Sequence, residues 1–183
     1  MSDDNKVEKK PRSTVSIFGE FAIYIVLILV CIFWVPEHVI QRTVVSGESM
    51  ENTLHDGESL LVNKIAYEPS RYDIVVFYPY GKEEGEYYVK RIYGLPGETI
   101  QIKGNDIYIN DEKIEDKYAK NKMDDSGIAE KPLTLAEDEY FVLGDNRQIS
   151  KDSRDSEVGP VERENIAGHV VLRIWPLSKF GTP

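Results

Sequence analysis

The chain of 183 residues is poor in the residues that build several common sites. It has one cysteine, Cys31, which excludes an internal disulfide framework and a cysteine-rich zinc site. Its three histidines, at 38, 55 and 169, show no metal-ligand spacing, so no metal is expected. No G-x-S-x-G elbow, H-E-x-x-H helix or glycine-rich phosphate loop occurs, and no cofactor is implied. Basic residues are in deficit, 22 against 32 acidic, for a formal net charge of −10. That balance argues against nucleic acid as a partner, because phosphate contacts need clustered Lys and Arg. Disorder is excluded in turn by 41% hydrophobic residues.

The apolar residues are unevenly spread. Residues 15–35 read VSIFGEFAIYIVLILVCIFWV, with Glu20 as the only charge. As an α-helix, that segment would be about 31 Å long, enough for a hydrocarbon core of about 30 Å. No A-x-A-like site follows it, as a cleaved signal peptide requires, and it has no polar face, as a buried core helix would. Residues 15–35 are therefore expected to be a transmembrane anchor in contact with membrane lipid. Lys6, Lys9, Lys10 and Arg12 precede it, against Asp3, Asp4 and Glu8. The positive-inside rule then makes 1–14 a cytoplasmic tail and 36–183 an extracytoplasmic domain.

That domain reads as mainly β. Apolar runs at 59–62, 73–78, 86–92, 99–102, 106–109, 140–143 and 166–174 are separated by turn residues. Gly104-Asn105-Asp106 and Asn110-Asp111 mark hairpin turns. The spacing predicts an antiparallel β-barrel or sandwich. The stretch 110–138 is charged and poor in large apolar residues, so an inserted subdomain or surface excursion is expected at about 103–138, partly disordered.

Three segments hold candidate chemistry. They are Ser49-Met50 in SGESMENTL, Lys90-Arg91 in YYVKRIYG, and Asp145 to Arg154 in GDNRQISKDSR. Taken one at a time, each has an ordinary reading. Ser49 suits a turn or cap, Lys90 suits an edge strand with its amine in water, and the third segment suits a solvated polar loop. Should Ser49 be a nucleophile, a lysine can serve as its base.

Together, in this order and spacing, the three segments resemble the boxes of the bacterial type I signal peptidases, which are membrane-bound Ser/Lys proteases. The single apolar span resembles the short, Gram-positive type. The resemblance implies Ser49 as nucleophile and Lys90 as general base, acting through an acyl-enzyme. It implies Ser150 as a hydroxyl orienting the lysine amine, Asp152 and Arg154 as an ion pair behind the site, and Asp145 and Arg147 as shapers of the same loop. It places the oxyanion on the Ser49 backbone N–H. Some relatives add a serine two residues before the nucleophile, where this chain has Gly47; the Gly47 or Glu48 backbone and the Ser46 hydroxyl are then the candidates for a second donor. Substrates would be secretory preproteins with A-x-A-type signal peptides, and Met50, Leu54, Tyr88 and Val89 would form a pocket that excludes large side chains. An extended substrate would pair with strand edges near 44–48 and 86–89.

The chemistry suits those residue types. A free lysine has a pKa near 10.4, so only about one in a thousand is neutral at pH 7.4. Burial among apolar neighbours disfavours the ammonium and lowers that value. Arginine stays protonated and could not serve. A self-cleaving Ser/Lys protease fused to a repressor would need a DNA-binding domain, which the chain lacks. A sortase-like reaction would need a cysteine outside the apolar segment. An anchored, non-catalytic β domain that binds an exported or wall partner is the alternative from another functional class.

Overall fold

The computed structural model describes residues 14–65 and 67–183. It divides into one unit ending at His38 and one beginning at Val39. The expected tail and its basic residues lie outside the described residues, apart from Thr14.

In the first unit the apolar segment is helical in three registers. An α-helix, Thr14–Leu29, is followed by a π-helical stretch, Val30–Trp34, and a short α-helical end, Val35–His38. The Val35 N–H bonds to the Val30 carbonyl, the wider spacing of a π-helix. This corrects the expectation of one uninterrupted α-helix over 15–35. The α-helix has 16 residues, about 24 Å, and among the described residues no helix is long and apolar enough to cross a membrane. Large apolar side chains from Phe21 to Trp34 are exposed, and Cys31 is exposed among them.

The second unit is built from antiparallel strands. They are β1 (Ile40–Val44), β2 (Ser59–Asn63), β3 (Ile74–Phe77), β4 (Tyr88–Gly94), β5 (Thr99–Lys103) and β6 (Asp106–Ile109). After these come β7 (Glu112–Lys113), β8 (Leu133–Thr134), β9 (Glu139–Leu143), β10 (Val161–Glu162) and β11 (Ile166–Trp175). All seven expected runs form strands. Of the four others, β7, β8 and β10 have two residues each, too few to show a pattern, and β1 is a mostly exposed edge strand.

Seven strands form one sheet in the order β1-β2-β11-β3-β4-β9-β10. The order is linear, from β1 at one edge to β10 at the other, rather than a closed barrel. Strand β3, sequence IVVF, is buried at every position, so its apolar run does not alternate. Ile74 and Val76 pack with Val45, Met50, Leu54, Leu60, Val62 and Val170. Val75 and Phe77 pack into a second cluster with Ile92, Val142 and Ile166. Two apolar layers thus sandwich the strand that supports β4.

The remaining four strands form a second sheet, β7-β6-β5-β8. Its turns are those expected from sequence. Lys103 pairs with Asp106 around Gly104-Asn105, and Ile109 pairs with Glu112 around Asn110-Asp111, both at positive φ as a type I′ turn requires. The sheet begins at Thr99, before the expected boundary near 103, and it is no mere surface excursion. Ile100, Ile102, Ile107 and Ile109 share one core with Tyr93, Phe141 and Leu143 of the large sheet. Most of the apolar side chains that hold it down lie in β5 and β6, and Met123, Ala129 and Leu135, scattered singly through the charged stretch, join the same core.

Candidate active site

Ser49 lies in the turn that follows β1. The Val45 N–H bonds to the Glu58 carbonyl and the Gly57 N–H to the Val45 carbonyl, which ties the two ends of the turn together. Met50 and Leu54 are buried in the core at either end of a turn closed by Thr53 and Leu54 N–H bonds to the Met50 carbonyl. These apolar anchors hold Ser49 half-buried beside β4.

Lys90 meets it there. Its Nζ donates to Ser49 Oγ at 2.7 Å, and the residue is 4% exposed. β4 is an interior strand, so the edge-strand reading does not hold. Burial pushes the Lys90 amine down to about 8, against the opposing pull of Asp152 and Asp145, while Arg154 lowers it further. The amine therefore deprotonates far more readily than a lysine in water.

The loop after β9 closes round this pair. Asn146 N–H donates to the Ser49 carbonyl at 3.0 Å, and Asn146 Nδ2 to the Glu48 carbonyl at 3.2 Å. Asp145 receives two hydrogen bonds from Arg91 and one from Thr53. Asp152 is paired to Arg154 by two hydrogen bonds, of 2.8 and 3.0 Å, and accepts the Gly144 N–H. Arg147 is fully buried, pairing with Asp116, donating to the Tyr93 hydroxyl at 2.7 Å and to the Gly144 carbonyl. Burial alone would raise Asp116, yet its bonds from Arg147 and Tyr93 outweigh it and hold the carboxyl below its usual range.

Ser150 makes no hydrogen bond to the amine. Its Oγ is buried and has no hydrogen-bond partner among the described residues. It packs against Gly144, where an added Cβ would lie 2.1 Å from it. Gly47 has φ +87, and its N–H is already committed to Asp56 at 2.8 Å, so it is not a free oxyanion donor in this conformation. The Ser46 residue lines the cleft.

That cleft has a volume of about 340 Å³. Ser49, Met50, Tyr88, Val89 and Lys90 line it, together with Tyr87, Ile149 and Lys151. Leu54 does not; it is 0% exposed and belongs to the core, a correction to its expected place in the pocket. Its side chain is spent on packing with Leu60, Val62, Ile74 and Val76. The β4 ladder to β9 begins at Arg91, so Tyr88 to Lys90 are paired on the β3 side, and the cleft opens beside them.

Sequence reasoning missed several supporting residues. Arg91 was visible only as a second cation in an apolar strand; it is 3% exposed and also stacks on Tyr118 at 3.7 Å. Asp116, Lys120 and Asn121 sit in the charged stretch read as a surface excursion. They instead pair with Arg147, Glu51 and Asn146. Nothing in local sequence distinguishes them from solvated residues. Among the described residues no cluster of His, Cys, Asp and Glu is arranged to hold a metal ion.

Comparison with known proteins matches residues 18–175 to a family described as signal peptidase, peptidase S26. Signal peptidase I of Bacillus amyloliquefaciens is 37% identical over 96% of this chain and 97% of its own. Signal peptidase IB of Staphylococcus aureus strain Mu50 is 34% identical, over 88% and 91%. A solved signal peptidase I from Enterococcus faecalis is 33% identical, with a TM-score of 0.45, over 56% of this chain and 97% of that one. The family match spans most of the chain, including all three polar boxes, and the chain belongs to the signal peptidase family, peptidase S26.

Proposed function

We propose that this chain is a membrane-anchored serine endopeptidase that removes signal peptides from exported preproteins. Ser49 is the nucleophile and Lys90 the general base. The observation that carries this reading is the 2.7 Å contact between Ser49 Oγ and a buried Lys90 amine whose proton affinity burial has lowered.

The neutral amine takes the Ser49 hydroxyl proton as Oγ attacks the scissile carbonyl. The Ser49 N–H receives the developing oxyanion. Collapse of the tetrahedral intermediate breaks the C–N bond, and the Lys90 ammonium returns its proton to the leaving amine. Water then enters, gives a proton to Lys90 and attacks the acyl-enzyme, and Ser49 leaves with that proton. No cofactor takes part in these steps. Asp152 and Arg154, Asp145 and Arg147 hold the loop rather than react.

The cleft favours small residues before the cut, as in an A-x-A signal. An extended substrate would lie between the chain at 44–48 and the open side of residues 86–89. The apolar residues 15–35 are proposed to bind membrane lipid through a helical run of mixed register. Their single charge and their exposed side chains support this. The tail 1–14 is proposed to be cytoplasmic and 36–183 extracytoplasmic, in a bacterial cell membrane.

The test is cleavage of a model preprotein with an A-x-A site by detergent-solubilised protein. Wild type should cut at that site, and Ser49→Ala and Lys90→Ala should not. Absence of cleavage by folded wild type would favour an anchored binding domain, and full activity in either variant would dismiss the dyad.

A further inference from the structure

One chain of amides crosses from the second sheet's long connection to the peptide in front of Ser49. Asn121 Nδ2 donates to Asn146 Oδ1 at 2.8 Å, and Asn146 Nδ2 donates to the Glu48 carbonyl at 3.2 Å. Gln148 fixes the direction of the chain. Its N–H donates to Asn121 Oδ1 at 3.3 Å, and its Oε1 accepts from Asn121 Nδ2 at 3.1 Å. Asn121 therefore presents its donor to Asn146. Asn146 is 4% exposed, so its amide cannot turn to water instead.

The Glu48 carbonyl and the Ser49 N–H belong to the same peptide unit. In a planar trans peptide they point in opposite directions. A hydrogen bond that anchors the carbonyl thus sets the aim of the N–H. Asn146 also holds the far side of Ser49, through its own N–H to the Ser49 carbonyl at 3.0 Å. Both peptide units flanking the Ser49 Cα are tied to one asparagine. With the Gly47 amide committed to Asp56, the aim of the Ser49 amide matters the more.

We infer that Asn121 is a positioning residue that acts through Asn146 to aim the Ser49 N–H at the oxyanion. This rests on Ser49 being the nucleophile. Asn121 touches neither substrate nor the reacting atoms. It lies in the stretch that sequence alone would assign to a solvated excursion, and it couples that stretch to the chemistry.

The experiment uses the full chain in detergent micelles and two probes of one sequence ending in alanine. A peptide aldehyde forms a hemiacetal oxyanion with a nucleophilic serine; the corresponding peptide alcohol, which has no carbonyl to attack and carries no charge, does not. In Asn121→Ala the aldehyde's inhibition constant should rise about tenfold, below the roughly hundredfold loss typical of deleting an oxyanion donor outright. The alcohol's constant and the pKa of the pH profile should stay unchanged. Asn121→Asp should be worse than Asn121→Ala, because its carboxylate draws the Asn146 amide away from Glu48. Adding Asn121→Ala to Asn146→Ala should produce no further rise, since the relay is already broken. Equal weakening of both probes, or independent effects of the two substitutions, overturns the inference. Wild type that binds the aldehyde no better than the alcohol overturns instead the assignment of Ser49 as nucleophile.

Discussion

Arg91 grips Asp145 with two parallel hydrogen bonds, 3.0 Å from Nε to Oδ1 and 2.8 Å from Nη2 to Oδ2. Neither residue is more than 3% exposed. The pair joins the residue after Lys90 to the residue after Gly144, so it ties the strand that carries Lys90 to the loop that closes on Ser49. Thr53 also donates to Asp145, which brings the turn that carries Ser49 into the same joint.

Asp145→Ala should strip Arg91 of its counterion in a place water cannot reach. Breaking a buried pair from one side costs about 3–5 kcal/mol, because the remaining charge is left uncompensated. Denaturant unfolding should record a loss of that order. A loss below about 1 kcal/mol would mean that Arg91 finds another partner or water.

The Lys90 amine sets a pH dependence. Its folded value of about 8 lies below the ordinary 10.5, so between these pH values the unfolded chain binds more protons at this group than the native chain. Stability should therefore rise with pH across that window. Below pH 8 the buried ammonium costs about 3 kcal/mol, at about 1.4 kcal/mol for each pH unit between the two values. Lys90→Met keeps the volume and removes the charge. It should be inactive yet no less stable than wild type at pH 7, and should lack the rise above pH 8. For the wild type, kcat/KM should climb through an apparent pKa near 8, since the base acts only when neutral.

Gly144→Ala tests how closely the loop packs on the site. The added Cβ would lie 2.6 Å from the Ser49 carbonyl oxygen and 2.1 Å from Ser150 Oγ. Both are well inside van der Waals contact, and one is backbone. The substitution should lower the melting temperature and abolish cleavage together. Activity close to wild type would show that the loop can yield.

Leu54→Ala should behave as a core deletion. It should lower unfolding stability by about 2–5 kcal/mol and leave the preference for small residues before the cut unchanged. Altered selectivity in the folded variant would return Leu54 to the pocket wall.

Much of this was legible in the chain itself, because it rests on short-range rules. The apolar runs became β2, β3, β4, β5, β6, β9 and β11, and Asn110-Asp111 made the turn its residue types favour. The order of the Ser49, Lys90 and Asp145–Arg154 segments was enough to indicate the family. Local rules failed where a residue's meaning depends on its distant neighbours. Asn121 and Asp116 look like any polar residue in a charged stretch until tertiary packing sets them against Asn146 and Arg147. Leu54 looked like a pocket wall and is a core anchor. The apolar length of 15–35 was plain, but the change from α to π register at Val30 was not. Residue types and spacing determined which groups are available for chemistry. Only the tertiary structure decided that the Lys90 amine loses water and sits against Ser49, since desolvation and a contact across 41 residues are properties of the folded core.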